Sequence, residues 1–467
     1  WLLYGMGSEK KFNFILIFVL FIFSWWLFGK SFGYDGRQFR IARHQVGDFG
    51  LHLSIIRSIS WANNFPPESP FFPGRPLPYH WGVDVVVGLL ERIGIRIDLA
   101  LNGISTIAMT ALLYGIYQLS QTLFGRRRLV GLTAIALFLF PSTLTIIDYL
   151  KEPTNVWRLP DYLHKGPFDG SIISIYQTLN PYLNQRHLVV ALAVAIFVIN
   201  TSLHPLLIGL IIGLLYKIHS LVALSTLVVV LIYKKKFQFL FVAPAILLWS
   251  IFIFLEHPES PPVSFFFTPN FLEYWWMNAG VSMMLLPIGV YLAPNSAKRL
   301  FFSFLPLFII ANTVKLSFRI EHNHSLINFF WIGVSLFVAY ALVKVFTHSK
   351  LIAILLFGFL ISSGILNLMA VKNDYQAYFD DAPLWIKNNT NPDSIFLTTP
   401  TLYDPATLAG RFTYVGPSYY LEVIGYDFEE RAQFARLFFE NPEVFTKEAR
   451  ERGIDYVILS DGRVLAL

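Results

Sequence analysis

The sequence predicts an α-helical polytopic membrane protein with a small α/β domain at its C-terminal end. Three observations carry that reading. The 467 residues are 55% hydrophobic and only 14% charged, whereas a soluble chain is typically about 45–50% apolar and about 25% charged. Apolar runs of bilayer-spanning length recur through the first 370 residues; roughly 17–25 residues suffice for one helical crossing. Beyond residue 370 the polarity becomes ordinary again, over a stretch of roughly 95 residues, enough to hold a core of its own.

Eleven segments qualify as crossings, at about 12–29, 99–123, 129–147, 187–203, 204–217, 219–233, 237–254, 274–292, 300–316, 326–345 and 350–370. The three between 187 and 233 are short and closely spaced. The first follows Lys10-Lys11 and ends in the bulky "SWWLFGK", the pattern of an anchor rather than of a cleaved leader. The chain begins at Trp1, so the reading allows for residues upstream. The 45 Phe, 22 Tyr and 11 Trp suit the aromatic belts of membrane interfaces.

Loop charge sets orientation, because Lys and Arg are retained on the cytoplasmic side. With eleven crossings, Lys10-Lys11, Arg126 to Arg128, Lys234 to Lys236, Lys298-Arg299 and Lys344 to Lys350 all fall on the side of the N-terminus. The opposite side then receives the loop at about 30–98, the loops at 148–186, 255–273 and 317–325, and the domain at 371–467. The division is a transmembrane domain over 1–370 and an extracytoplasmic domain over 371–467. In the latter, "SIFLTT" and "YVIL" read as buried strands, and 428–440 and 442–452 as helices.

The first long loop is unusual for so apolar a chain. From Val46 to Ala62, the residues Phe49, Leu53, Ile56 and Trp61 share a helical face, as in a helix lying along a membrane surface. The prolines from Pro66 to Pro78 then impose a rigid, irregular path. The same loop gathers Asp48, His52, Glu68, His80 and Asp84. Asp48 and His52 are four apart and share a helix face. An ionised Asp48 could take a proton from an attacking hydroxyl, or it could simply cap the helix that follows.

Other ionisable residues sit at outer ends of crossings, where such groups are costly and signal function. "NQRHLV" places Arg186 and His187 there, and a guanidinium suits a phosphate; interfacial snorkelling is the plain alternative. "YKIHS" places Lys217 and His219 against the charge bias, so either they face a polar cavity or one short crossing is misassigned. "FRIEHNHS" holds Arg319, Glu321, His322 and His324, a divalent-metal set or a solvated salt-bridged loop; the spacing matches no metal motif. In the tail, "TLAGRFTYVG" places Gly410 and Arg411 before a strand, as a site or merely as a turn.

Several classes are excluded or lose support. With no Cys there is no disulfide, thiolate metal site or Cys nucleophile. The net charge of +6 forms no clustered basic face of the kind nucleic-acid binding requires. No GxxxxGK[ST], GxSxG or HExxH occurs, so nucleotide phosphates, ester hydrolysis and zinc proteolysis have no motif.

The layout resembles the GT-C superfamily of membrane glycosyltransferases over nearly the whole length. It shares a cytoplasmic N-terminus, one crossing, a long first outer loop with an acidic residue near its start, many crossings and an extracytoplasmic C-terminal domain. "GDFGLHLSIIRSISWANNFPPESPFFPGRPLPYH", "NQRH" and "LAGRFTYVG" are similar to stretches of prokaryotic GT-C-like proteins, and the layout is similar to protein O-mannosyltransferases and aminoarabinose transferases. The resemblance implies a prokaryotic plasma membrane, a polyprenyl-phosphate sugar donor, and a glycan, lipid or protein acceptor, with no cofactor. Asp48 matches the family's first-loop carboxylate, as base or acceptor-orienting group; His52 or His80 would orient it. Arg186 and Lys217 would hold the lipid phosphate, with Glu68, Asp84, His187, His219, Arg319 and Arg411 as further substrate-binding candidates. There is no DxD, so a metal-dependent oligosaccharyltransferase is not implied, and no Asp-Glu pair opens the loop, so a protein acceptor does not follow. The alternatives are a lipid-linked polysaccharide ligase or polymerase, a transporter or flippase, and a membrane scaffold.

Overall fold

A computed structural model describes residues 7–151, 178–234, 238–257, 263–317, 320–382, 384–459 and 462–467. Arg319, Lys235 and Lys236, and most of the expected outer loop at 148–186, lie outside the described residues.

Along the chain, α1 (Ser8–Ser31) precedes strands β1 (Phe32–Tyr34) and β2 (Gln38–Ala42), helix α2 (Val46–Ala62), the hairpin β3 (Glu68–Ser69) and β4 (Phe72–Pro76), and α3 (Gly82–Arg92). Next come α4 (Ile97–Phe124), α5 (Arg128–Leu139), α6 (Thr145–Lys151), α7 (Asn180–Asn184), α8 (Arg186–Asn200), α9 (Pro205–Leu215), α10 (Ser220–Lys234) and α11 (Gln238–Glu256). Strands β5 (Ser264–Phe265) and β6 (Val314–Lys315) bracket α12 (Phe271–Ala279), α13 (Val281–Leu292) and α14 (Asn295–Thr313), and are followed by α15 (His324–His348) and α16 (Lys350–Asn373). The remainder comprises β7 (Gln376–Asp380), α17 (Leu384–Asn389), β8 (Ile395–Leu397), α18 (Pro405–Leu408), β9 (Phe412–Thr413), α19 (Ser418–Ile424), α20 (Glu429–Glu440), α21 (Pro442–Glu451), β10 (Tyr456–Ile458) and β11 (Val464–Ala466).

Two compact units result. The first holds residues 1–31, 103–249 and 262–375; the second holds 32–102, 250–261 and 376–467. The expected C-terminal elements are present, with strands at "SIFLTT" and "YVIL" and helices close to the expected bounds. They share their unit with the first long loop.

The first unit is built around α15. This helix is apolar on all sides, and Leu326 to Val343 are all buried, as expected of a helix at the centre of a bundle. Phe337 meets Phe301 of α14 at 5.2 Å between ring centroids. Gly289 of α13 lies against the α15 backbone, where a Cβ would meet the Phe337 carbonyl oxygen at 2.1 Å. By contrast, α1 exposes Phe14, Ile15, Phe18, Val19 and Ile22, an apolar stripe that water does not favour. Four helices among the described residues are long and apolar enough to cross a membrane: α1, α4, α15 with its preceding turn, and α16. The α12–α13 pair adds a fifth if it is one span, but it bends by 88° at Gly280, whose φ is +50°. Of the other expected crossings, α5, α8, α9 and α10 are helical but short, with 12, 15, 11 and 15 residues, and α11 and α14 have 19 each.

The basic clusters of this unit are linked by contacts. Arg126 reaches Glu9 at 3.9 Å, and Arg128 lies 4.6 Å over the Phe12 ring. Phe124 stacks on Tyr340 at 4.5 Å, one turn from Lys344, and Arg299 lies 5.4 Å over Tyr233, the neighbour of Lys234. The ends of α1, α4, α10, α14 and α15 that carry positive charge are thus chained together.

In the second unit, β1, β2 and β7 form an antiparallel sheet, and β11-β10-β8-β9 form a mixed one in which β8 pairs in parallel with β9 and β10. Leu51, Ile55 and Ile59 of α2 pack with Phe71, Phe72, Leu397, Val415, Tyr420 and Leu421. Helix α2 has the expected limits, but the expected one-sided surface helix is corrected: every residue from Phe49 to Ser60 is buried by protein. Asn63, at φ +58°, ends α2. The Asn64 amide then ties the hairpin back, donating to Ser58 Oγ at 3.1 Å and to the Glu68 carbonyl at 2.8 Å.

Replacing Gly289 with Leu should destabilise the first unit by about 1–3 kcal/mol, because the α15 carbonyl cannot yield to the new side chain. The control Gly103→Ala, where no atom lies within 4 Å of the added Cβ, should be neutral or stabilising by up to about 1 kcal/mol. Thermal unfolding of the detergent-purified variants reads both.

Candidate functional site

The first turns of α2 and α3 build one polar centre within the second unit. Asp48 is the third residue of α2, and Gln45 occupies the cap position, its side chain making no capping hydrogen bond. Asp48 is therefore not the helix cap, but its charge is favoured at the positive end of the helix dipole. Asp84 is likewise the third residue of α3. One turn beyond Asp48, the buried His52 places Nδ1 2.9 Å from Asp84 Oδ2 and 3.1 Å from Oδ1. The two helices run in the same direction, with His52 against Asp84 and Ser60 donating to Glu91 at 2.6 Å. Gly88 permits their close approach, since a Cβ there would meet Ile59 Cγ2 at 2.9 Å.

Burial opposes a charge on His52, but the Asp84 carboxylate, its hydrogen bond and the Asp48 charge outweigh that, raising the His52 pKa above 6.5. Burial also raises the Asp84 carboxyl above 3.8, against the pull of His52. We read the pair as an imidazolium held on a carboxylate, because a buried imidazole within hydrogen-bond distance of one carboxylate and in the field of a second keeps its proton. Asp84 takes Nδ1 and so fixes the ring.

Tyrosines complete the centre. The Tyr419 hydroxyl reaches Asp48 Oδ1 at 3.5 Å, and the Tyr79 ring lies 6.0 Å from the His52 ring. Burial, with Asp48 next, holds the Tyr79 hydroxyl well above its ordinary pKa of 10. Burial and then Asp48 do the same for Tyr420. These phenols stay protonated and can donate. Asp48 itself is only half-buried. The arrangement offers an accessible carboxylate, a fixed imidazolium and neutral hydroxyl donors, which suits general-base chemistry on an approaching hydroxyl.

The remaining candidates of this unit are placed differently. Glu68 is exposed, and its carboxylate accepts from Gly74 N at 3.0 Å, closing the β3–β4 hairpin. His80 is half-buried with its ring 4.9 Å from Tyr79. Arg411 is buried and donates to the carbonyls of Ala409, Lys387 and Thr390 and to the Thr390 hydroxyl. That is the turn-feeding-a-strand alternative, with Gly410 at φ +75° and the guanidinium fastening α17 to β9. The sequence reading missed Tyr79, Tyr419 and Tyr420. The tail tyrosines meet Asp48 only through tertiary folding, and no local spacing announces it.

In the first unit, the N-terminal ends of α8 and α10 meet. His187 and His219 have ring centroids 5.4 Å apart, and Arg186, His187, Lys217 and His219 are all buried, so surface snorkelling of Arg186 does not hold. Arg186 donates to Leu183 O at 2.8 Å and Ser31 Oγ at 2.7 Å, with its guanidinium 4.3 Å over Phe28. Two cations and two imidazoles at a pair of helix N-termini form a setting for an anion. Arg319 lies outside the described residues. His322 pairs with Ser317 Oγ at 2.6 Å, whereas His324 faces Asn328 Oδ1 at 2.9 Å and Gln185 Nε2 at 3.0 Å. They do not converge on a shared cation.

The His52 pKa is raised on folding, so its contribution to stability is complete below about 6.5 and is lost as pH rises through the folded value. Stability of the second unit should fall with pH across that window. Asp84→Asn should flatten the dependence and cost about 1–3 kcal/mol, because the charge-assisted hydrogen bond of the buried ring is lost; urea unfolding at pH 6 and pH 9 measures both. No family model matches the chain, and no curated protein matches it.

Proposed function

We propose that this protein is a multi-pass membrane glycosyltransferase that moves a sugar from a polyprenyl-phosphate donor to an acceptor hydroxyl, with Asp48 as the base. The observation that carries the reading is the convergence of Asp48, His52 and Asp84 in one polar centre with a half-accessible carboxylate. Asp48 takes the proton of the acceptor hydroxyl as that oxygen attacks the anomeric carbon. The bond to the lipid phosphate breaks in line, the phosphate leaves as an anion, and the configuration inverts. His52, held by Asp84, positions the carboxylate and the acceptor, and Tyr79 and Tyr419 donate to oxygens in the site. The buried Arg186 and Lys217, with His187 and His219, are the proposed holders of an anionic lipid phosphate.

The topology belongs to the same proposal. Helices in every expected apolar segment, and the linked positive ends of the first unit, support eleven crossings. In that arrangement the N-terminus is cytoplasmic, the elements after residue 370 are extracytoplasmic, and the membrane is a prokaryotic plasma membrane.

A transporter or flippase of lipid phosphates is the second reading. The sharply bent α12–α13 pair favours it, since interrupted helices are common in transporters. One experiment separates the two. Protein in nanodiscs is incubated with radiolabelled polyprenyl-phosphate sugars, as wild type and as Asp48→Asn. The proposal expects release or transfer of sugar, reduced by about 10²-fold or more in Asp48→Asn, the scale of losing a general base. Equal turnover in Asp48→Asn would refute the role of Asp48. Binding without turnover in either form would favour the transporter.

A further inference from the structure

A second polar centre sits on α2 and α3, nine residues beyond Asp48 along α2, or roughly 13 Å at the helical rise. Arg57 is 1% exposed. Its Nε lies 3.1 Å from Glu91 Oε1 and its Nη2 3.3 Å from Asp381 Oδ2. The guanidinium stacks on Trp61 at 3.7 Å from the ring centroid, and Lys387 Nζ approaches the same ring at 3.6 Å. Asp381 also accepts from the Tyr34 hydroxyl and from Ala382 N at 2.7 Å, and Glu91 accepts from Ser60. Arg57 Nε, although at ion-pair distance from Glu91, and Arg57 Nη1 are both buried with no hydrogen-bond partner among the described residues.

A cavity of about 470 Å³ opens beside this cluster, lined by Arg57, Glu91, Asp381, Tyr34, Trp61 and Arg96 among others. Such a volume lies within the roughly 300–1,000 Å³ of small-molecule sites. Cohesion alone does not explain it. A buried arginine between two carboxylates is often no more stabilising than well-packed apolar residues of the same volume, and an unpartnered buried N–H is costly. The cluster instead presents a fixed set of unlike groups: an unsatisfied guanidinium donor, two carboxylates able to accept more than one hydrogen bond each, and a phenol. An apolar ligand would leave the Arg57 donor unmet, and a simple anion would meet Arg57, Arg37 and Arg96 but set a like charge against Glu91 and Asp381. A hydroxyl both donates and accepts, so adjacent hydroxyls can satisfy the guanidinium and a carboxylate together.

We infer that this cavity binds the hydroxyl-bearing face of a saccharide, one to two sugar units in size. The assignment rests on the cavity and the Arg57 cluster, and it does not depend on the role of Asp48. The test is saturation-transfer NMR on the full-length protein in a detergent without a sugar headgroup. The probes are glucose, galactose, mannose, their uronates, two disaccharides and, as the apolar control, cyclohexanol. The variants are Ile95→Trp, which fills the cavity from a partly exposed position, Arg57→Lys, and Asp48→Asn. The expected result is binding of at least one saccharide but not of cyclohexanol. Binding should weaken by about tenfold or more in Ile95→Trp and in Arg57→Lys, the scale of losing a charge-assisted hydrogen bond, and should be unchanged in Asp48→Asn. Thermal unfolding of Ile95→Trp at the wild-type temperature shows that the loss is local. No binding by any saccharide, binding unchanged in Ile95→Trp, or equal loss in Asp48→Asn would each overturn the assignment.

Discussion

The second unit depends on charges that are buried together between α2 and α3. His52 meets Asp84 and Arg57 meets Glu91, and Gly88 lets the backbones close around those pairs. Each ion removed from water carries a desolvation cost of several kcal/mol unless its partner is in place. The register of the two helices is therefore constrained at two levels. Slipping one helix by a residue would separate both pairs at once. The same register puts Asp48 and Asp84 in the first turns of their helices, where the helix dipoles favour negative charge.

The tail elements build on that pair. Gly50 lies close enough to the tail that a Cβ would meet the Leu402 carbonyl at 2.0 Å. The Tyr403 hydroxyl bonds Val46 O at 2.8 Å, Ser54 bonds Thr407 at 2.8 Å, and Asp381 completes the Arg57 cluster. Tyr419 and Tyr420 reach the Asp48 centre from this side. A loop that composition alone would class as irregular is thus an internal layer, covered by residues more than 300 positions away.

Much of this was legible locally and little of it globally. The limits of α2, the shared face of Asp48 and His52, the strands at "SIFLTT" and "YVIL" and the helices after Phe428 followed from periodicity and turn residues. Those signals are encoded within a few turns of chain. The burial of α2 on every side was not legible, because its small and polar residues Gly50, Ser54 and Ser58 read as a solvent face until the tail packs on them. The cluster of Arg57, Glu91 and Asp381 was not legible either, since the two carboxylates lie 34 and 324 positions from Arg57 and only folding unites them. Arg411 reads from sequence as a site residue or as part of a turn feeding a strand, and its donors serve the Thr390 hydroxyl and backbone carbonyls. Every expected apolar segment is helical, but hydropathy does not report helix length: α9 stops after 11 residues at Leu215, short of the expected end at residue 217.

The central physical claim is that Asp84 holds His52 as an imidazolium in the interior of the second unit and thereby orders the proposed Asp48 centre. The most direct measurement is the ¹⁵N NMR titration of the His52 ring, assigned by comparison with His52→Gln. The account predicts both ring nitrogens protonated at pH 7, and a shift to the neutral form at lower pH in Asp84→Asn, where only the Asp48 charge still opposes burial. A neutral His52 at pH 7 in the wild type, or a titration that Asp84→Asn leaves unchanged, would contradict it.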